Sequence, residues 1–356
     1  MTKAATMETR RFVTMLLLAA MMIAVIPLGL VVLPGGLLAA DNGSVTGRFG
    51  VNSENVTVNS VYLYNGDNTS EVGSMDPTSF YVARVSVTHK NTLNFLDKIE
   101  LAVYYDEDGT FSTDNVPASG DPQNGVIMTW DGTDNWTMEA GGSGTWDIVE
   151  SECDDPAVLG AHTTYVFMFK FKVGTVAKES DDDPGDDAKW HIYAKAWDTG
   201  GGTSYKYQDN LEMTWYGAIT VGLSGGTHLE FGNLDLGSEN QTSTNSVTAT
   251  YISNGNYDRN IRTVGTWSGN NYSIALDTAY DGSPDDGEFA LKADDDSSIG
   301  GAVIVRTTYV AMEEAIGITS ESGTPVSGMT VWITLAAAGI NADTYTGTIY
   351  YQISNG

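Results

Sequence analysis

Short runs in which apolar and polar residues alternate dominate the chain after its first 40 positions. Tyr81, Ala83, Val85 and Val87 form one apolar row, with Arg84, Ser86 and Thr88 between them. Ile99, Leu101, Val103 and Tyr105 repeat the pattern. Tyr165, Phe167, Phe169, Phe171 and Val173 make the strongest row, with Lys170 and Lys172 opposite. Trp190, Ile192, Ala194 and Ala196 follow, then Leu211, Met213 and the run from Trp215 to Val221. A period of two with one polar face predicts half-buried antiparallel strands. Further strands are predicted at Val247-Ala249-Tyr251, from Ile261 to Trp267, at Phe289 and Leu291, from Ala302 to Val310, at Val331-Ile333-Leu335 and from Tyr345 to Ile353. Gly, Asn and Asp fill the gaps, and Asn254-Gly255-Asn256 reads as a tight turn. The pattern predicts an all-β chain of two tandem antiparallel β-sandwich domains, residues 44–222 and 223–356, with Leu223-Ser224-Gly225-Gly226 as the linker.

The first 40 residues follow a different rule. Lys3, Arg10 and Arg11 precede an uncharged apolar run from Phe12 to Val32. A basic flank before such a run is an export signal, and it keeps the positive end in the cytoplasm. Pro27, Pro34, Gly35 and Gly36 interrupt the second half and favour cleavage near Leu38-Ala39-Ala40. The run is also long enough to stay as an uncleaved membrane anchor helix. Residues 1–40 therefore read as a signal peptide or N-terminal anchor, and the remainder as extracellular, touching a membrane only through that segment. Cys153 is the single cysteine, so no intrachain disulfide forms, which points to a prokaryotic envelope protein. Glu152, Asp154 and Asp155 beside it disfavour a thiolate.

Charge narrows the partners. The 356 residues carry 17 Lys plus Arg against 46 Asp plus Glu, a formal net charge of −29. Without the first 40 residues about −31 remains. Long-range repulsion excludes a nucleic-acid binder that works by phosphate neutralisation, and it opposes docking on anionic lipid. Apolar residues at 41% suffice for a core, so acidity does not imply disorder here. Asp outnumbers Glu by 30 to 16, which suits turns and hard-cation ligands.

Several groups bear on chemistry. Asp106, Asp108 and Asp114 surround a Gly-containing turn and are candidate Ca²⁺ ligands. Asp181, Asp183 and Asp186, in a run of five carboxylates in seven residues, are a second candidate set. The EF-hand template fails, because Phe111 and Pro117 stand where its Gly and Glu belong. Both groups read equally as solvated loops. Trp130, Trp136 and Trp146 lie in a Gly/Asp/Thr-rich stretch. Exposed, they would stack on sugar rings; otherwise they are core. Sequons place candidate glycosylation at Asn42, Asn55, Asn68, Asn135, Asn240 and Asn271. His89, His162, His191 and His228 show no zinc spacing. His89 and His191 lie opposite apolar rows and are expected at the surface. Carboxylate pairs abound without singling out a glycosidase pair. No nucleophile elbow or phosphate-binding loop stands at a strand-to-helix junction. No catalytic residue and no organic cofactor are expected.

Phe231-Gly232-Asn233-Leu234, Asn245-Ser246-Val247-Thr248, Ser253-Asn254-Gly255-Asn256-Tyr257 and the closing Tyr345-Thr346-Gly347-Thr348-Ile349 resemble Ig-like modules of archaeal and bacterial surface proteins. The resemblance spans mainly residues 228–356 and implies an extracellular spacer, adhesin or envelope building block. The expectation is a non-enzymatic cell-envelope protein, structural or adhesive, with self-assembly into a filament or lattice as its sharper form. Its partners would be other envelope proteins or copies of itself. The alternative is a module that binds polysaccharide through first-domain aromatics.

Overall fold

A computed structural model describes residues 55–133, 135–139, 144–180 and 188–356. The segment read as signal or anchor lies outside these residues, as do Asn42, Asp181, Asp183 and Asp186. The described residues are all-β, about 49% strand and 3% helical. The helical part is three single-turn 3₁₀ segments, Leu93–Phe95, Glu150–Glu152 and Leu159–Ala161. No helix among the described residues is long and apolar enough to cross a membrane.

The predicted apolar rows become the inward faces of two sheets. A four-stranded sheet runs in the order Thr57–Asn65, Phe80–Thr88, Thr164–Lys172, Asp147–Ile148. A six-stranded sheet runs Ser74–Met75, Thr203–Met213, Lys189–Asp198, Leu96–Asp106, Gly125–Trp130, Trp136–Met138. Pairing is antiparallel except for Ser74–Met75, which runs parallel to Thr203–Met213. Val85, Phe167, Phe169 and Phe171 meet Ile99, Leu101, Trp190 and Ile192 in one core. Burial of each such side chain contributes about 1.5–3 kcal/mol.

A second core lies between an eight-stranded and a three-stranded sheet. The larger follows the order Gly217–Leu223, Val247–Ser253, Thr324–Leu335, Glu288–Asp294, Ser273–Leu276, Thr266–Ser268, with two short strands alongside. The smaller is Val310–Ile316, Tyr257–Thr263, Ile349–Asn355. Tyr251, Tyr257, Ile261, Phe289 and Val331 fill the space between. The strand Gly217–Leu223, which the pattern groups with the earlier strands, pairs along its whole length with Val247–Ser253.

The two cores are tied by polar contacts centred on Asn254, which is fully buried. Its Nδ2 donates to the carbonyls of Ala177, at 2.8 Å, and Thr214, at 2.9 Å. Its Oδ1 accepts from the Tyr216 amide at 2.6 Å. The Glu179 amide donates to the Asn254 carbonyl at 2.9 Å. Gln123 Nε2 donates to Thr319 O at 3.1 Å, and Thr145 Oγ1 donates to Glu321 Oε1.

Candidate functional site

Asp106 is nearly buried, and its carboxylate organises its own loop. Oδ2 accepts from Asn115 Nδ2 at 2.7 Å and Oδ1 from the Asp108 amide at 3.3 Å. Asp108 is exposed and accepts from the Thr110 amide at 2.9 Å. Asp114 is exposed on the far side of the turn that Ser112 begins. Among the described residues no three His, Cys, Asp or Glu side chains gather in a metal-binding group.

Trp130, Trp136 and Trp146 are 0%, 3% and 3% exposed. The surface placement that sugar stacking requires is therefore corrected for all three. Trp130 packs at 4.8 Å on Phe167, Trp136 at 4.7 Å edge-on to Phe169, and Trp146 on Phe171 and Trp190. Two ring nitrogens find partners at the core rim, Trp130 Nε1 with Asp155 Oδ2 and Trp146 Nε1 with Pro122 O, each at 3.0 Å. The flanking Gly, Asp and Thr residues are the turns around short strands, while the large apolar rings seal the open end of the core.

His89 and His191 are buried, at 2% and 0% exposed, against the expected surface positions. His89 stacks on Phe95 at 5.5 Å, and its Nε2 lies 4.0 Å from Asp198 Oδ2. His191 does lie on the face opposite Trp190 and Ile192, but that face is roofed. The loop after Asp106 folds back, and Phe111 and Val116 cover Ala102, Tyr104, Ile127 and Tyr193. Tyr104 and Phe111 pack on the imidazole at 5.4 and 5.9 Å. Neither ring nitrogen has a hydrogen-bond partner among the described residues. Burial holds the His191 pKa below its ordinary value, against the opposing pull of Asp106, Asp209 and Asp108. Strand alternation identifies opposite faces; it does not show that a distant loop covers one of them.

Cys153 is half-buried, and desolvation first, then Glu150, Asp155 and Glu152, push its thiol up to about 11. Among the sequons, Asn55, Asn135 and Asn271 are exposed. The Asn68 amide is engaged: Oδ1 accepts from Arg84 Nε at 2.7 Å and Nδ2 contacts Met168 Sδ. Asn240 is half-buried, with Oδ1 sealed from solvent.

Two features escaped sequence reasoning. One is a half-open groove of about 520 Å³ beside the second core, floored by Trp267, Phe289, Ile333 and Leu335 and rimmed by Asp235 and Asn341. The other is the outer face of the six-stranded sheet beyond the Phe111 roof. There Tyr205 and Tyr207 are 48% and 43% exposed. Phe111 stacks on Tyr207 at 3.6 Å with 5° between planes, and Tyr205 lies 5.4 Å from Tyr193. Lys98 and Lys195 extend over Trp197 at 4.0 and 4.7 Å. The signal was present: the row opposite Trp190-Ile192-Ala194-Ala196 reads His191, Tyr193, Lys195, Trp197, too aromatic for a merely solvated face. The groove had no such signal, because its walls are residues about 110 positions apart, near Leu234 and Asn341.

Neither a protein-family model nor a curated protein sequence matches the chain.

Proposed function

We propose that this chain is a non-enzymatic, exported cell-envelope protein, a stiff β scaffold with a structural or adhesive role. The observation that supports it most is the join between the two cores. A spacer must not flex at its middle, and here a fully buried Asn254, with both amide protons and its oxygen bonded, joins the segments around Ala177 and Thr214 to the turn at residues 254–256. Such a network resists bending because breaking it leaves the fully buried Asn254 amide without partners. In this reading the two halves are tandem Ig-like sandwiches, the first 40 residues direct export, and acidic loops face the external medium. Copies of the chain or other envelope proteins are its partners. Calcium belongs to the proposal only as an addition at the Asp106 and Asp108 turn.

The test is mass spectrometry on protein recovered from fractionated native cells. The expected result is an N-terminus at or near Asp41, recovery with the envelope, and any N-linked glycan at Asn55, Asn135 or Asn271. Recovery from the cytosol with Met1 intact overturns it.

A further inference from the structure

We propose that the outer face of the six-stranded sheet is a binding surface for a neutral polysaccharide, distinct from the three buried tryptophans and independent of the scaffold role. The register builds it in rows. Tyr207, Tyr193 and Ala102 lie side by side, then Tyr205, Lys195 and Glu100, then Thr203, Trp197 and Lys98. Rows on one face of a sheet are roughly 7 Å apart, so the surface accepts a short run of sugars more naturally than one ring.

Each component has a use in sugar recognition. A pyranose whose hydroxyls are equatorial presents C–H groups on its faces and hydroxyls at its rim. The exposed rings of Tyr205 and Tyr207 offer flat apolar platforms for the faces. Phe111, parallel to Tyr207 at 3.6 Å, restrains that ring before any ligand arrives, which lowers the entropic cost of binding. The Glu100 carboxylate and the Lys195 ammonium stand in the same row as Tyr205 and supply an acceptor and a donor for the rim hydroxyls.

Charge selects among occupants. Lys98 is paired with Glu100 at 3.3 Å, so the charged side chains in these rows sum to the single positive charge of Lys195. The chain as a whole carries −29. A polyanionic glycan would meet long-range repulsion that one unpaired lysine on this face does not offset, whereas a neutral glycan meets none.

The purified full chain is mixed with insoluble cellulose, chitin and calcium alginate beads, and depletion from solution is measured. Depletion on cellulose or chitin, exceeding that on alginate, is expected. Tyr205→Ala is expected to weaken it roughly tenfold, the value of one lost stacking contact. Tyr207 is left intact because Phe111 rests on it. Glu100→Gln, which alters no ring packing, is the second variant and is expected to weaken binding with an unchanged circular dichroism spectrum and melting temperature. No depletion on either neutral polymer, stronger depletion on alginate, or binding unchanged in both variants overturns the proposal. A change of oligomeric state in Tyr205→Ala without loss of depletion also overturns it.

Discussion

His191 shows how a single residue answers to its surroundings. Its imidazole sits between Tyr104 and Phe111 with both nitrogens unbonded to described residues, so protonation in the folded state is opposed. The folded pKa is depressed and the unfolded one stays near the ordinary 6.5. Above that value both states hold a neutral ring and nothing is lost. As pH falls through it the unfolded chain takes up a proton that the folded chain resists, so stability declines toward lower pH. His191→Phe, an apolar ring in an apolar slot, is expected to flatten this decline between pH 7 and pH 5. Melting temperature against pH for both proteins checks it, and parallel curves would refute the role given to His191. Phe167, packed on Trp130, carries packing alone. Phe167→Ala is expected to cost about 3–5 kcal/mol in chemical denaturation, with a cavity left at the centre of the first core.

At the scale of elements the strands were legible, and the connections were not. Alternation located Phe80–Thr88, Leu96–Asp106, Thr164–Lys172, Lys189–Asp198 and Val247–Ser253 with their inward rows, because period two is local. The stretch from Ala302 to Val310 reads as one strand in sequence but holds only Val303–Ile304 before the longer strand Val310–Ile316 begins. Its Val310-Ala311-Met312-Glu313-Glu314 order has no clean alternation, so pairing with Tyr257–Thr263 decides it. The turn at Asn254 was found as a turn but not as the polar centre of the join. Asn254→Ala would leave the buried Ala177 carbonyl without its partner, while the Thr214 carbonyl and the Tyr216 amide lie at the part-buried edge where water reaches. At about 1–3 kcal/mol for an unsatisfied buried group, a loss of about 1–3 kcal/mol is expected. Limited proteolysis cutting near residues 214–217 in the variant but not the parent would show that the join has loosened.

For the whole molecule, acidity and aromatic content act together. Of the thirteen Lys and Arg among the described residues, eight hold their charge over an aromatic ring. Arg262 lies over both Tyr350 and Tyr309, and Arg84 lies 3.9 Å from the Tyr64 ring centre. A ring shields one side of the cation and adds dispersion, so these contacts depend less on ionic strength than exposed ion pairs do. Meanwhile salt screens the self-repulsion of a chain at −29. The melting temperature is therefore expected to rise from 0.05 to about 1 M NaCl, where the Debye length falls to about 3 Å. A fall across that range would show that exposed ion pairs dominate instead.

Local periodicity and composition determined the all-β class, the main inward rows and the acidic loops, since each depends on residues a few positions apart. Packing between distant segments decided the rest. It buried Trp130, Trp136 and Trp146, roofed His191 with the loop that carries Phe111, and made Asn254 the centre of the join. It also left Tyr205 and Tyr207 in solvent, on a face whose rows combine three separate strands. The physical reason is that burial belongs to a residue's spatial neighbours, and in an antiparallel β protein most of those neighbours are remote in the chain.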